Sequence, residues 1–331
     1  MRHELLRNLY PPENFEEGLL AIDIPELGEP IRGKVRDMWV VDDRRVIVTT
    51  DRQSAFDRMI CTVPGKGEVL NMLSAFWFER TKNLVPNHME EVPHPNVMIA
   101  KEAVERIPVE VVLRRYMAGS SSPTSVWKNY QEGKREIYGI KFPDNLWPNQ
   151  EFPMGTISTP TTKAEQGHDE MLTDDQAKEL VDGRFGKGMW EKTKNAAFTL
   201  FGFASRFHRA RGLILVDTKL EFGLDTEGNL MLIDEVFTPD SSRFWRSDLY
   251  EERFEKAQDP GGLDKEILRK WLAEQGFVGE GTPPIIPKPI IVTAAMIYAK
   301  PYNLITGETI LHEETDPQKI RQAVLDHLHL Q

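Results

Sequence analysis

The sequence predicts an α+β fold, and three features of the chain support this prediction. The first third of the chain consists mainly of short segments rich in strand-forming residues. Residues 172–212 carry two longer segments with helical periodicity. The apolar run Leu213–Val216 then returns to strand, and the tail alternates helical segments with a proline-rich link.

Composition limits the class of protein. The chain has 331 residues, of which 40% are hydrophobic and 28% charged, as in a globular protein with a large core. A formal net charge of −11 argues against nonspecific binding to nucleic acid or to an anionic membrane. The one cysteine, Cys61, excludes an internal disulfide and cysteine-rich zinc sites. No segment approaches the ~20 apolar residues of a membrane span, so we expect a cytoplasmic enzyme.

The elements of the first half follow from local patterns. Residues 38–50, MWVVDDRRVIVTT, predict two short strands around an Asp-Asp turn, and residues 109–116 predict another strand. Between them, residues 68–84 have helical periodicity. Residues 139–172 are rich in Pro, Thr and Gly, and a loop of that length in a compact domain is usually functional or disordered.

The second half alternates helices and strands. Residues 172–183 have an acidic first helical turn, and residues 186–212 end in basic residues and glycine, as helices commonly do. Residues 213–236 form a β-hairpin around DTEGN. Helices are predicted in the tail at 264–275, about 290–300 and 317–329, and Pro301 should end or kink the middle one. We expect a β-rich lobe at 1–115, a mixed lobe at 116–276 and a helical tail at 277–331.

Three ionisable residues end the apolar strand at alternate positions. Because successive strand side chains point to opposite faces, Asp217, Lys219 and Glu221 share one face. If the hairpin loop is 226–229, Glu221 lies opposite Asp234 with Cβ atoms about 5 Å apart. Two facing carboxylates favour a divalent cation between them. The alternative is an exposed sheet face with ordinary cross-strand charges.

The segment after the hairpin concentrates polar chemistry. Residues 233–245, IDEVFTPDSSRFW, combine carboxylates, hydroxyls and an arginine. Arg243 matches phosphate bidentately, so the segment predicts a loop that holds a metal–phosphate assembly. A capped helix start at Asp240 or Ser241 is the alternative.

A glycine turn near the N-terminus is a second candidate for phosphate binding. GEPIRGKV, residues 28–35, nearly matches a P-loop, but Val35 occupies the position of the magnesium-binding hydroxyl. The turn carries Lys34 and Arg36, and its backbone N–H groups with a lysine are suited to nucleotide phosphates. A basic surface turn is the alternative.

Two further segments carry candidate binding residues. A predicted strand leads into Arg114 and Ser120, which suits an anion site or ordinary strand-end polarity. The segment TPTTKAEQGHDE offers Lys163, His168 and Asp169. A single histidine without a partner at ligand spacing argues against a metal site there.

Five segments in this order and spacing resemble the SAICAR synthetase family. They are GKVRDMW, DRQSAFD, PVEVVLRRYMAGS, TPTTKAEQGHDE, and LILVDTKLEFG with LIDEVFTPDSSRFW, and they span about residues 30–275. PKPIIVTAAMIYAKPYNLITG is similar to the C-terminal helix of longer members. The loop GSSSPTSVW departs from the family's Gly-Ser-Gly-Trp, so the choice among Ser120, Ser121 and Ser122 as the phosphate contact stays open.

The resemblance implies a ligase of purine biosynthesis. It would join the carboxylate of carboxyaminoimidazole ribonucleotide (CAIR) to the amine of L-aspartate, using ATP and Mg²⁺, through an acyl phosphate. The implied fold has a β-rich nucleotide-binding lobe similar to that of protein kinases and a mixed second lobe. A small-molecule kinase would share the lobe and the metal carboxylates, and a nucleotide-binding regulator would bind ATP without turnover.

The resemblance also implies roles for individual residues. Glu221 and Asp234 would hold Mg²⁺, Lys219 and Lys34 would contact nucleotide phosphates, and Glu110 would lie near adenine. The substrate positions form a second set: Arg114, Ser120 and Arg243 for the ribose phosphate of CAIR, Asp240 for its imidazole amine, and Lys163, His168 and Asp169 for the carboxylate and aspartate end. Lys219, Asp240 and Arg243 are the expected catalytic residues. Residues 155–172 are expected to form a mobile element that orders over bound substrate.

Overall fold

The protein is described here by a computed structural model that covers residues 17–56, 58–119, 123–163, 169–263, 266–310 and 315–330. The chain forms two compact units. Met1–Trp77, His88–Glu102 and Leu263–Gln331 make up the first unit, and Phe78–Asn87 and Ala103–Gly262 the second. Each unit combines antiparallel sheet with helices, which confirms the α+β class. The domain boundaries at 115 and 276 stay a prediction.

The first unit contains a five-stranded antiparallel sheet and a separate hairpin. Its strands are β1 (Ile31–Arg32), β2 (Arg36–Val41), β3 (Arg44–Thr49), β4 (Arg52–Ala55), β5 (Arg58–Thr62), β6 (Met89–His94) and β7 (Val97–Lys101). The sheet has the order β1-β2-β3-β7-β6, and β4 pairs with β5. The predicted Asp-Asp turn joins β2 and β3, with Asp42 at a φ of 56°.

The second unit contains a seven-stranded sheet centred on one long strand. The strands of this unit are β8 (Glu105–Arg106), β9 (Val109–Arg114), β10 (Glu136–Ile137), β11 (Ile140–Lys141), β12 (Ile157–Ser158), β13 (Thr161–Thr162), β14 (Leu213–Leu224), β15 (Leu230–Ile233) and β16 (Ser242–Arg246). Strands β10 and β11 form a separate two-stranded sheet, and the other seven form the large sheet. Strand β14 pairs with β8, β9, β15 and β16, while β12 and β13 both pair with β9. All of these pairings are antiparallel.

Six helices of the described residues fall on segments that the sequence predicted as helical, and two short ones, at 126–131 and 247–255, were not predicted. In chain order the helices are α1 (Lys66–Thr81), α2 (Val126–Gln131), α3 (Asp174–Phe185), α4 (Met189–Arg209), α5 (Ser247–Glu255), α6 (Glu266–Glu274), α7 (Lys288–Thr306) and α8 (Pro317–Leu328). Helix α7 does not end at Pro301 but continues to Thr306, with Gly307 at a φ of 81° as its C-cap. Pro301 lacks the N–H group that would donate within the helix, and its side chain is buried in the protein.

The core of the first unit packs helix α8 against the five-stranded sheet. Ile320, Val324 and Leu325 lie on one face of α8 and belong to the same buried cluster as Trp39 and Val48. Such spacing places apolar residues on one side of a helix. Burying each large apolar side chain contributes about 1.5–3 kcal/mol, which fixes α8 on the sheet.

Helix α1 begins where the backbone passes close to β3. The amide of Gly67 donates to Asp51 Oδ1 at 2.8 Å. A Cβ atom at residue 67 would lie 2.4 Å from the carbonyl oxygen of Thr49 and 2.7 Å from Nδ2 of Asn96. Glycine is therefore required there by space rather than by backbone dihedral.

We expect Gly67→Ala to destabilise the protein by about 1–3 kcal/mol, because the added methyl group overlaps a fixed carbonyl. Gly202→Ala in α4 is the matched control, since a Cβ there has only a flexible arginine end at 3.7 Å. That substitution should be neutral or stabilising by up to about 1 kcal/mol. Urea denaturation of both variants measures the difference, and equal effects would contradict the close approach at Gly67.

Candidate active site

The charged face of β14 carries the centre of the candidate site. Asp217, Lys219 and Glu221 occupy alternate positions of the strand, as predicted. Strand register places Asp217 directly opposite Arg114 on β9 and opposite Arg243 on β16. Three neighbouring strands therefore contribute one row of charged side chains.

Asp217 is the common partner of the two arginines. Nη1 of Arg114 donates to Oδ2 of Asp217 at 2.7 Å. Nε of Arg243 donates to Oδ1 at 2.9 Å, and its Nη2 also donates to Oδ2. The carboxylate is only 6% exposed. Burial alone would raise the pKa of Asp217, but the charges of Arg243 and Arg114 outweigh it and lower the pKa below its ordinary value.

Each arginine is also fixed by a second contact. Nε of Arg114 donates to the hydroxyl of Thr159 at 2.9 Å. Nη1 of Arg243 donates to the carbonyl oxygen of Gly119 at 2.9 Å. Sequence reasoning missed Thr159, because its contact with Arg114 spans 45 positions and leaves no local pattern. Ser120 lies outside the described residues.

A second cluster surrounds Lys219. Its ammonium donates to Oε1 of Glu110 at 2.8 Å and to Oε1 of Glu221 at 2.9 Å. Lys163 donates to the other carboxylate oxygen of Glu221. Glu110 and Glu221 are 7% and 6% exposed, so the face is not an ordinary solvated one.

The cluster shifts the pKa values of its members in different directions. Burial alone would lower the pKa of Lys219, but Glu221, Glu110 and Asp234 raise it well above its usual value. Burial alone would raise the pKa of Glu221, but Lys219 and Lys163 lower it strongly. Burial is the main cause that raises the pKa of Glu110. The charges of Glu221 and Asp169 raise it further, and together these effects outweigh Lys219, which lowers it. Lys219 therefore stays protonated and Glu221 ionised at neutral pH.

The predicted hairpin register is wrong by one residue. Glu221 pairs with Ile233, and Leu224 pairs with Leu230, so the loop has one residue more than expected. The cause lies in Asp225, whose Oδ1 accepts from the amides of Glu227 and Asn229 at 2.9 and 2.8 Å. This side chain holds the turn and removes Asp225 from the strand.

Asp234 does not lie opposite Glu221 in the hairpin, where the sequence predicted it. It follows the end of β15 with a φ of 69°, in the left-handed region. Its charge nevertheless acts on Lys219, whose pKa it raises. Asp234 is therefore not the cross-strand partner of Glu221, and its role as a metal ligand stays a prediction.

The segment after Asp234 is a tight turn that leads into a strand. The hydroxyl of Thr238 accepts from the amides of Asp240 and Ser241 at 3.3 and 3.2 Å. Residues 242–246 then form β16, so the alternative of a helix starting at Asp240 or Ser241 is wrong. This turn sets the start of the strand that carries Arg243.

The segment expected to be mobile is partly anchored in the sheet. Strands β12 and β13 pair with β9, and the amide of Thr159 donates to the carbonyl of Val112 at 2.8 Å. Only part of 155–172 is therefore free of sheet pairing, and the expectation that the segment orders over bound substrate stays a prediction. Lys163 and Asp169 both act on the cluster around Lys219, whereas His168 lies outside the described residues.

The remaining candidates lie on the glycine turn of the first unit. Lys34 is exposed and Arg36 is half-buried at the start of β2. The amide of Gly33 donates to the carbonyl of Arg36 at 2.8 Å, which closes the turn.

The described residues lack two features that would have pointed to other functions. They contain no group of three or more His, Cys, Asp and Glu side chains arranged to hold a metal ion. They also include no helix with the length and apolar character that crossing a membrane requires.

Comparison with known proteins connects this geometry to a family. The sequence profile of SAICAR synthetase matches residues 29–284. A phosphoribosylaminoimidazole-succinocarboxamide synthase from Legionella pneumophila (strain Lens) is 43% identical over 302 residues, covering 91% of this chain and 95% of the relative. One from Arabidopsis thaliana, named as chloroplastic, is 42% identical over 297 residues, covering 89% of this chain and 70% of the relative.

A solved structure gives the same result. SAICAR synthase from Saccharomyces cerevisiae, complexed with SAICAR, matches with a TM-score of 0.76 at 31% identity and covers 89% of this chain and 100% of that chain. Because the profile spans most of the chain and the Legionella relative aligns along nearly its whole length, this chain belongs to the SAICAR synthetase family, the ATP-dependent ligases that join CAIR to L-aspartate in purine biosynthesis.

Proposed function

We propose that the charged face of β14 divides the ligase reaction between two groups of residues. Arg114 and Arg243, held by Asp217, bind the ribose phosphate of CAIR. Lys219, Glu221 and their neighbours serve the triphosphate of ATP and its metal ion. The observation that carries this proposal is the cross-strand row of Arg114, Asp217 and Arg243.

The row suits a phosphate because it presents two guanidinium groups from adjacent strands. Planar guanidinium groups match the geometry of phosphate oxygens through paired N–H donors. Asp217 fixes both side chains before the substrate arrives, so less conformational entropy is lost on binding. The yeast relative was solved with SAICAR, and SAICAR retains the ribose phosphate of CAIR.

The residues around Lys219 fit a Mg²⁺ ion bound together with nucleotide. Glu221 and Asp234 supply carboxylate oxygens, which are the ligands that Mg²⁺ prefers, and the ion is usually completed by water and phosphate oxygens. Lys163 and Lys219 already bind Glu221, which indicates that this carboxylate favours a cationic partner. When bound, Mg²⁺ would neutralise phosphate charge during phosphoryl transfer.

The chemistry of the reaction explains why the site needs these charges. A carboxylate does not react with an amine at neutral pH, because oxide is a poor leaving group. Transfer of the γ-phosphoryl group to the CAIR carboxylate forms an acyl phosphate; the aspartate amine then attacks the carbonyl carbon and releases phosphate. All three reactants are anionic, so the catalytic contribution is mainly positioning and charge neutralisation. Lys219 supplies a permanent positive charge beside the carboxylates.

The other predicted residues keep their proposed roles. Lys34 and Arg36 serve the nucleotide phosphates, and Glu110, bound to Lys219, would extend the nucleotide site from the triphosphate toward adenine. The remaining set serves the substrates: Asp240 the imidazole amine of CAIR, Ser120 its phosphate, and Lys163, His168 and Asp169 the carboxylate and aspartate end. We propose a cytoplasmic enzyme with no nucleic-acid or membrane partner, although the Arabidopsis relative is named as chloroplastic.

Release of ADP tests the overall reaction. With CAIR, ATP and Mg²⁺ present, sustained ADP release should require L-aspartate. A small-molecule kinase would release ADP without it, and a nucleotide-binding regulator would release none. Either result would overturn the proposal.

We predict that Glu221→Gln and Asp234→Asn each lower turnover by about 100-fold or more, because each removes charge from the metal and phosphate site. Their stabilities should differ. Glu221→Gln loses the charge that binds Lys163 and Lys219 and should lower the free energy of unfolding by about 1–3 kcal/mol. Asp234→Asn should lower it less, since asparagine tolerates a φ of 69° and Lys219 keeps its ion pairs with Glu110 and Glu221.

Turnover, Mn²⁺ binding measured by electron paramagnetic resonance, and denaturation separate these effects. Both variants should bind Mn²⁺ with nucleotide more weakly than the wild type. Wild-type Mn²⁺ affinity in either variant would remove that residue from the metal site.

We predict that Arg243→Lys weakens CAIR binding by about 1–3 kcal/mol, because lysine keeps the charge and loses the paired donors. ATP binding should change little. Arg246→Lys is the matched control, because Arg246 lies on the same strand and pairs with Asp248 at the surface. Calorimetric titration with each ligand measures both effects. Equal losses for CAIR and ATP would assign Arg243 to the triphosphate or to folding.

A further inference from the structure

The motif DRQSAFD has no role in the site described above, yet its arginine is among the most highly bonded side chains of the first unit. Arg52 is 4% exposed at the start of β4. Its Nε donates to the carbonyl of Lys34 at 3.1 Å, and its Nη2 donates to the carbonyl of Gly33 at 3.1 Å. Its Nη1 donates to the carbonyl of Leu20 at 2.7 Å. One guanidinium group thus holds two consecutive carbonyls of the glycine turn.

A third carbonyl of the turn is held by Thr50, two residues before Arg52 in the sequence. The carbonyl of Val35 accepts from the amide and the hydroxyl of Thr50, at 2.9 and 2.8 Å. The described chain has no cis peptide bond, and in a planar trans peptide the C=O and the following N–H point in opposite directions. With the carbonyls of Gly33 and Lys34 directed at Arg52, the N–H groups of Lys34 and Val35 are directed to the other side.

The charge of Arg52 is balanced inside the protein. Nη2 of Arg52 donates to Oδ1 of Asp37 at 2.9 Å, and Asp37 is fully buried. The other oxygen of Asp37 accepts from Nη1 of Arg32 at 2.8 Å and from the amide of Ile22 at 2.9 Å. Because Asp37 fixes the plane of the guanidinium group, Arg52 holds the turn in one conformation.

We infer that Arg52 is a positioning residue for nucleotide binding, because it turns the N–H groups of Lys34 and Val35 outward as donors for a phosphate of ATP. Successive N–H groups on one side of a turn form an anion-binding concavity. This inference rests on the proposed role of the turn and of Lys34. Lysine at position 52 would keep the charge but cannot reach four acceptors in one plane.

Three variants test the inference. Arg52→Lys removes the fork, Lys34→Met removes the proposed phosphate contact, and Arg45→Lys is the control. Arg45 is a half-buried arginine of β3 whose own fork binds Glu102, with both contacts at 2.6 Å. Arg52→Lys should raise KM for ATP by about 10- to 100-fold, the effect of losing charge-assisted hydrogen bonds. KM for CAIR should stay within about twofold of the wild type, and Arg45→Lys should leave both constants near wild type.

A direct readout of the turn separates positioning from folding. In the nucleotide-free protein, NMR order parameters of the Lys34 and Val35 amides should fall in Arg52→Lys and stay unchanged in Arg45→Lys. Unchanged order in Arg52→Lys would overturn the positioning role, whatever Lys34→Met does. An equal rise of KM for CAIR would overturn it as well, because that indicates general loss of structure. An unchanged KM for ATP in Lys34→Met, with lowered order in Arg52→Lys, would instead overturn the proposed nucleotide role of the turn.

Discussion

The contact between the Asp217 carboxylate and two arginines is the interaction on which the rest of the candidate site depends. A buried charge is tolerated only when it is paired and hydrogen-bonded, and here Arg114 and Arg243 satisfy both oxygens of Asp217. The pairing is possible because β9 and β16 flank β14 with these three residues in register. Loss of the carboxylate would leave two neighbouring cations without a common anchor, so the sheet and the phosphate site are linked through one side chain.

Two and four residues after Asp217, strand β14 carries Lys219 and Glu221. In this second cluster the central charge is positive and its two partners are negative. Lys219 lies between the carboxylates of Glu110 and Glu221, and it holds a negative pair close together where bare carboxylates would repel. An ATP–metal complex needs both signs of charge, lysine for phosphate oxygens and carboxylates for the cation. In the proposed division of the site, one face of β14 would serve an anion through the arginines at Asp217 and an ATP–metal complex through Lys219 and Glu221.

Period-two alternation was sufficient to predict the shared face of β14, because it depends only on strand geometry. The hairpin register was not predictable in the same way, since the side chain of Asp225 enters the turn and lengthens the loop by one residue. The contacts of Arg52 lie 15 to 32 positions away in the sequence, so no local pattern indicates them. The long periodic segments were predicted as helices, but the short helices α2 and α5 were not, and α7 continues past Pro301, where an end or a kink was expected.

An aspartate between two arginines proposed to bind phosphate has a physical reason. Two unit charges about 5 Å apart at an effective dielectric constant near 20 repel by about 3 kcal/mol, and the Asp217 carboxylate offsets that repulsion in the free enzyme. It also lowers the net charge of the row from two to one, so a phosphate dianion would be bound by directed N–H groups as well as by charge. An enzyme that releases a phosphorylated product in each cycle needs such moderate attraction. Geometry can then provide selectivity for phosphate without making product release slow.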